Sequence, residues 1–247
     1  MSDFDRNVAA RGSFSDRAVA IDAGLRAHMI RVYNYMASAV ALSGIVAWFT
    51  YNAAVTSTGA LTSFGQTLFS GPLMIGLMLA TLGLVFFISW RIDRLSYPTA
   101  LMLFMVYAGL LGVTLAPIFL VYTGASITKV FFISAASFGA LSLWGYTTQR
   151  DLTGMGSFLI MGLFGLIIAM IVNIFLKSTG LDFVISAAGV LIFAGLTAWD
   201  TQKIKEMFDP SDDTNSSGRK AVMGALSLYL DFINLFLMLL RLVGDRR

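Results

Sequence analysis

The sequence lacks cysteine and is poor in charge, and both absences limit what the protein can be. Its 247 residues include no cysteine, which excludes a disulfide framework and a thiolate metal site. Charged residues make up 13% of the chain, against about 25% in soluble domains. Since 57% of the residues are hydrophobic and the mean hydropathy is +0.78, the sequence predicts an integral membrane protein of one domain.

Histidine is almost absent, and the missing residue types exclude several membrane activities. His28 is the only histidine. Its arginine-flanked position predicts a surface residue outside the spans, which leaves an intramembrane serine protease without its base. The last apolar segment has no lysine to bind retinal as a Schiff base, and no phosphate-binding glycine loop or metal-binding histidine pair occurs. We therefore expect no enzyme and no cofactor, and the formal net charge of +3, spread over loops and termini, gives no sign of nucleic acid.

Seven apolar runs are long enough to cross a bilayer, for which a helix needs about 20 residues. Turn-forming residues separate the runs, as at Ser178-Thr179-Gly180. The pattern predicts an all-α bundle of seven transmembrane helices over residues 32–243, after an N-terminal segment of residues 1–31 and before a tail of residues 244–247. The predicted spans are 32–54, 73–90, 98–122, 127–147, 155–176, 183–199 and 221–243.

The distribution of lysine and arginine predicts the orientation, because basic residues accumulate in cytoplasmic loops. Twelve lie on one side: Arg6, Arg11, Arg17, Arg26, Arg31, Arg91, Arg94, Arg150, Lys203, Lys205, Arg219 and Lys220. Five lie on the other: Lys129, Lys177, Arg241, Arg246 and Arg247. We expect a cytoplasmic N-terminus in the cell (inner or plasma) membrane. The arginines near the C-terminus keep open an alternative in which six helices span and the last one re-enters.

Two aspartates lie at membrane depth. Asp231 lies near the middle of residues 221–240, where a carboxylate costs about 2.5–3.5 kcal/mol on insertion scales. Asp200 ends the preceding apolar run. Since these two helices are antiparallel and joined by a short connection, we expect both acids at similar depth, toward the cytoplasmic half. Intramembrane acids are usually functional, although a neutral Asp231 that hydrogen-bonds across a helix interface is the structural alternative.

A close pair of carboxylates suggests proton and cation chemistry. Two such groups in a low dielectric share a proton, because ionising both is expensive. When ionised they offer the oxygen ligands that Ca²⁺ prefers. Asn234, one turn after Asp231, is a candidate further ligand or a hydrogen-bonding contact between helices. Arg91 and Arg94, at the end of the second span, either neutralise an aspartate or anchor on lipid phosphate.

Three segments resemble the Bax inhibitor-1 family of membrane proteins, also called the transmembrane BAX inhibitor motif family, in its bacterial type. The last span, ALSLYLDFINLFLMLLRLVG, is similar to the family signature. FAGLTAWDTQKIKEM is similar to the sixth helix, and GYTTQRDLTGMGSFL to the connection between the fourth and fifth helices. The match covers about residues 30 to 245.

The resemblance implies a seven-helix fold with the last helix central and a pH-sensitive Ca²⁺ leak. It implies that Asp200 and Asp231 form the sensor, and that an arginine of the second helix latches onto Asp200. An ungapped alignment makes that arginine Arg94, and a small gap makes it Arg91. The loop containing PSDDTNSSG is longer than in compact members. Some bacterial members lack the acid of the last helix and are tied to membrane-protease regulation, whereas this chain keeps both acids.

Three functions fit these residues. The favoured one is a proton-gated leak for cations, with Ca²⁺ and protons as its ligands. The second is a non-conducting regulator of a membrane protease or of a stress response. The third is a proton-coupled transporter that uses the same two acids.

Overall fold

The structure is a computed structural model that describes the backbone of residues 3–69 and 71–247, with side chains from residue 21 onward in those ranges. Regular structure in the described residues is helical apart from isolated bridges at loops. The α-helices are α1 (Asp3–Ala54), α2 (Ser63–Phe69), α3 (Pro72–Arg91), α4 (Tyr97–Leu115), α5 (Ile118–Val121), α6 (Gly124–Thr147), α7 (Thr153–Leu176), α8 (Thr179–Glu206) and α9 (Thr214–Val243).

Seven segments of the described chain are long and apolar enough to cross a membrane, which confirms the predicted all-α bundle. The second span joins α3 to the 3₁₀ turn Ile92–Arg94, and the third joins α4 to α5 across Pro117. The short helix α2 lies between the first and second spans and was not predicted. The last two helices are longer than predicted, because polar turns on either side of the loop that joins them continue each helix beyond its apolar run.

Short polar side chains cap the start of four of these helices. The side chains of Ser96, Thr123, Ser178 and Asp213 each accept a hydrogen bond from a backbone N–H in the first turn of α4, α6, α8 and α9. Such caps satisfy donors that have no partner inside the helix. At the end of α7, Lys177 adopts a left-handed conformation with φ of 50°, which turns the chain sharply into α8.

The last helix occupies the centre of the bundle. It contacts α1, α4, α6 and α8, whereas α3 packs against α4 and α7 packs against α8 on the outside. Of the apolar stretch of α9, 67% of the residues are buried inside the protein. Leu226, Leu228 and Tyr229 are among its fully buried side chains. The expected central position of the last helix is therefore confirmed.

Contacts at both ends of α9 show that it crosses the whole bundle. Near its start, the Asn215 side-chain oxygen accepts a hydrogen bond of 2.6 Å from the backbone N–H of Tyr97, where α4 begins. Beyond its end, the backbone N–H of Arg247 donates to the carbonyl of Val121 at 2.9 Å, where α5 ends. Because α9 runs alongside the complete third span, the structure has a full seventh crossing in place of the re-entrant alternative.

The first helix continues through the predicted boundary at residue 32. Helix α1 is unbroken from Asp3 to Ala54, so residues 21–31 are helical and continuous with the first span. His28 lies in this segment and is 3% exposed, with its ring centroid 5.8 Å from that of Phe208. The prediction of a surface histidine is wrong, because the loop after α8 covers this face of α1. His28 and Phe208 are far apart in the chain, so their contact leaves no local pattern in the sequence.

Candidate functional site

The antiparallel pair α8 and α9 brings Asp200 and Asp231 together. Their carboxyl groups interact directly across the interface of the two helices. Asp231 is 5% exposed, and Asp200 is half-buried. The geometry agrees with the expectation of neighbouring acids at similar depth.

The two acids reach the same level from unequal positions in their helices. Asp200 lies in the last two turns of α8, whereas Asp231 lies beyond the middle of α9. The first turns of α9 therefore extend past the end of α8. Lys220 in these turns pairs with Asp212 of the connecting loop at 2.6 Å, and Arg219 donates to the backbone carbonyl of Asp93. These contacts hold the start of α9 against the connecting loop and against the 3₁₀ turn Ile92–Arg94.

The carboxyl pair is poorly neutralised by its surroundings. Asp231 Oδ2 is buried and has no hydrogen-bond partner among the described residues. The ion pairs of the described residues are Lys220–Asp212 and Arg246–Asp182, and neither Asp200 nor Asp231 takes part. The basic group that acts on Asp200 is Lys203, one helical turn further on. Its ammonium lies 5.1 Å from the centroid of the Trp199 ring, and sequence reasoning did not single it out.

The two latch candidates lie apart from Asp200. The guanidinium of Arg91 lies 5.5 Å from the centroid of the Trp90 ring, and that tryptophan is 81% exposed on the outside of the bundle. Arg94 lies in the 3₁₀ turn and is exposed. Neither arginine forms an ion pair with an acid of the described chain. The structure does not bring latch and sensor together, and the latch stays a prediction.

Asn234 bonds within its own helix. Its side-chain amide donates to the carbonyl of Leu230 at 2.8 Å, and the interhelical hydrogen bond that was one expectation is not formed among the described residues. No group of three histidine or acidic side chains able to hold a metal comes together in the described residues. Asp200 and Asp231 therefore offer a two-carboxylate site, to which the oxygen of Asn234 remains a candidate addition.

Buried hydroxyl groups link the helices around the acids, and sequence analysis missed them. Ser142 Oγ lies 2.5 Å from the hydroxyl of Tyr33 and 2.9 Å from Thr201 Oγ1, which connects α1, α6 and α8 beside Asp200. Ser43 Oγ lies 2.6 Å from the hydroxyl of Tyr229, two residues before Asp231. Single serine and tyrosine residues in apolar runs carry no periodic signal, so only the folded arrangement reveals these links.

The similarity of this chain to known proteins extends over nearly its whole length. The family model described as "Inhibitor of apoptosis-promoting Bax1" matches residues 25–247. The chain belongs to the Bax inhibitor-1 family. This result confirms the resemblance carried by the three segments, and both acids of the pair lie inside the matched region.

Bacterial relatives match this chain over nearly the same length. Inner membrane protein YbhL of Escherichia coli (strain K12) is 46% identical over 236 residues, which cover 94% of this chain and 97% of the relative. A protein of Rickettsia prowazekii, RP147, is 47% identical over 226 residues, or 92% of each chain. A protein of Caulobacter vibrioides is 43% identical over 250 residues, and the alignment covers 100% of each chain. The protein is thus a multi-pass membrane protein of the Bax inhibitor-1 family.

Proposed function

We propose that this Bax inhibitor-1 family protein is a proton-gated cation leak of the inner membrane, with Ca²⁺ as the favoured ion. The observation that carries the proposal is the pair of acids between α8 and α9, in which one buried oxygen of Asp231 has no hydrogen-bond partner. A structural acid in a membrane is expected to satisfy both oxygens, because no water compensates for the loss. A carboxylate oxygen without a hydrogen-bond partner is available to bind a ligand reversibly.

The composition of the pair favours an ion in transit over an ion held permanently. Ca²⁺ takes six to eight oxygen ligands, and two carboxylates supply only part of that shell. Water and the oxygen of Asn234 would complete it while the ion passes. Conduction requires binding that is strong enough for entry and weak enough for release.

Protons act on the same two groups. Two close carboxylates compete for one proton, so acidification reduces the negative charge that holds a cation. If the ionised Asp200 also attracts Arg94 or Arg91, the same proton releases that contact and frees the second span to move. Opening at low pH and ion binding at higher pH oppose each other, and we expect a flux with a pH optimum.

Flux measurements in liposomes test the proposal. Ca²⁺ entry into proteoliposomes, followed with a trapped fluorescent indicator across a pH series, should exceed that of protein-free liposomes. Asp231→Asn and Asp200→Asn should each lower the flux about tenfold or more and flatten its pH profile, because the cation site loses charge. Asp182→Asn is the matched control, since Asp182 lies at the other end of α8 and is 37% exposed at its side chain.

Two results would overturn the leak. Wild-type protein that conducts no cation at any pH favours a non-conducting regulator of a membrane protease or a stress response. Accumulation of a solute against its gradient, driven by protons and lost in Asp231→Asn, favours a transporter.

The latch has its own test in the same assay. Arg94→Ala should raise the flux at neutral pH and flatten its pH response, because the attraction to ionised Asp200 is lost. Arg91→Ala should do less if the ungapped alignment is right. A pH profile left intact by both single changes and by the double change would show that these arginines are interfacial anchors.

Single cysteines test the proposed orientation, since the chain has none of its own. A membrane-impermeant thiol reagent should label Thr214→Cys only from the cytoplasmic side and Arg246→Cys only from the outer side. The reverse labelling pattern would show the opposite orientation, with the loop between α8 and α9 on the outer side of the membrane.

A further inference from the structure

A cavity of about 720 Å³ lies where the start of the first span meets the loop between α8 and α9. Its wall includes His28 and Arg31 of α1, Phe208 and Pro210 of the loop, and Ser217 of α9. The volume falls in the range of about 300–1,000 Å³ that is typical of small-molecule sites. The cavity lies apart from the acid pair, since neither Asp200 nor Asp231 lines it.

His28 gives this cavity a buried polar group without a partner. The side chain is 3% exposed, and neither of its ring nitrogens is hydrogen-bonded to a described residue. Buried polar atoms are paired in the great majority of cases, and each exception requires an explanation. No serine bonds to the ring, so a serine–histidine pair for nucleophilic catalysis is not formed by the described residues.

The charges around His28 leave one cation unmatched. The charged groups that act on it are Arg31, Lys220 and Asp212. Lys220 and Asp212 pair with each other at 2.6 Å, whereas Arg31 makes no ion pair with a described acid. The remaining acid of the wall is Asp209, whose Oδ1 accepts hydrogen bonds from the backbone N–H and the hydroxyl of Ser211 at 2.9 and 2.7 Å.

We propose that this cavity binds an organic phosphate. Arg31 pairs with the phosphate oxygens through its planar fork of donors, which matches phosphate geometry. One ring N–H of His28 and the hydroxyl of Ser217 donate further hydrogen bonds. Phe208 and Pro210 contact the body of the ligand, since the cavity is far larger than a phosphate ion.

Two sources supply such a ligand, namely the headgroup of a phospholipid and a soluble phosphate ester such as a nucleotide. The shared chemistry is a phosphate attached to an apolar or planar group. The proposal is independent of ion conduction, because it uses none of the residues assigned to the leak.

The single histidine of the chain makes the test direct. In full-length protein labelled selectively at histidine with ¹³C and ¹⁵N, the imidazole signals report on His28 alone. We expect a saturable shift of these signals on titration with either short-chain phosphatidic acid or adenosine monophosphate in detergent micelles, and the arm that saturates at the lower concentration identifies the source. Sodium chloride at matched ionic strength should leave the signals in place. No saturable shift in either arm, or an equal shift with chloride, would overturn the proposal.

Two arginine variants separate the site from general electrostatics. Arg31→Gln should weaken the binding at least tenfold, and Arg31→Lys should give an intermediate loss because it keeps the charge without the fork. Arg26→Gln is the matched control, since Arg26 lies on the same helix but does not line this cavity. Equal affinity in Arg31→Gln and wild type, with unchanged unfolding midpoints, would also overturn the assignment.

Discussion

The last helix and the fifth span show opposite relations between composition and burial. The fifth span, α7, is the most hydrophobic of the seven, yet only 6% of its apolar stretch is buried inside the protein. The last helix, α9, carries Asp231 and Asn234, yet 67% of its apolar stretch is buried. Lipid tails are as apolar as leucine, so hydrophobicity alone gives a side chain no reason to leave the bilayer. Burial in this bundle follows from close packing and from the needs of polar groups.

Small residues lie where α9 packs closely against α8. Ala221, Gly224 and Ala225 are buried on α9, and the side chain of Ile204 from α8 lies against Gly224. Such residues let neighbouring helices approach closely. On α7, large side chains such as Phe175 and Ile174 are 81% and 67% exposed and cover the outside.

The largest expected effect on stability comes from truncating matched leucines in the two helices. Leu228 in α9 is 0% exposed, and Leu176 in α7 is 63% exposed. Leu228→Ala should cost about 2–5 kcal/mol through the cavity that it leaves, whereas Leu176→Ala should stay within about 0.5 kcal/mol. Unfolding in mixed micelles with increasing denaturing detergent gives both values. Similar losses of unfolding free energy in the two variants would contradict the inference that α9 is the packed centre and α7 the lipid-facing outside.

A smaller effect is expected from the buried hydroxyl of Tyr229. Its oxygen lies 2.6 Å from Ser43 Oγ, which also donates toward the carbonyl of Ala108 at 2.7 Å. Tyr229→Phe should lower the free energy of unfolding by about 0.6 kcal/mol, the average of such bonds in membrane bundles.

Tyr107→Phe is the matched control for that change. Tyr107 packs edge-on against the ring of Tyr229, with ring centroids 5.9 Å apart, and its hydroxyl makes no hydrogen bond within the described chain. The same detergent titration should find this variant unchanged, and an equal loss in both variants would assign the effect to ring packing.

The smallest effect is expected where the two helices begin. Asp213 caps α9 by accepting from the backbone N–H of Ser216 at 2.9 Å. At the start of α7, Leu152 provides no side-chain cap, and Asp151 accepts from the backbone N–H of Thr153 at 2.8 Å. Hydrogen bonds from Ser216 hold the pKa of Asp213 below its ordinary value of 3.8, with the larger effect from the hydroxyl and the smaller from the backbone N–H. The ionised cap therefore stabilises the fold above pH 3.8, and this contribution is lost as the pH falls through the lowered pKa.

Two cap variants distinguish charge from hydrogen bonding at this position. Asp213→Ala should lower the unfolding midpoint slightly at neutral pH, and the difference from wild type should vanish in strong acid. Asp213→Asn should keep most of the cap without its pH dependence. A gap between Asp213→Ala and wild type that persists unchanged in strong acid would rule out the ionised cap.

Hydropathy and turn residues predicted the seven spans, and the short connection after α8 predicted that Asp200 and Asp231 would be neighbours. The central place of α9 came from family resemblance, because its apolar content is ordinary. The burial of His28 under Phe208 and the link from Ser142 to Tyr33 depend on residues far apart in the chain. The proximity of Lys203 to Asp200 could have been predicted from the sequence, since Lys203 follows Asp200 by about one helical turn on the same face.

The central position of α9 also has a consequence for assembly. It is the last of the seven spans in chain order, so the helices that surround it enter the membrane before their shared partner exists. Until α9 arrives, α1, α4, α6 and α8 lack the surface against which they pack. The bundle therefore closes only after the seventh span is inserted among the others, and a nascent chain halted before residue 214 presents an unfilled groove to membrane insertases and proteases.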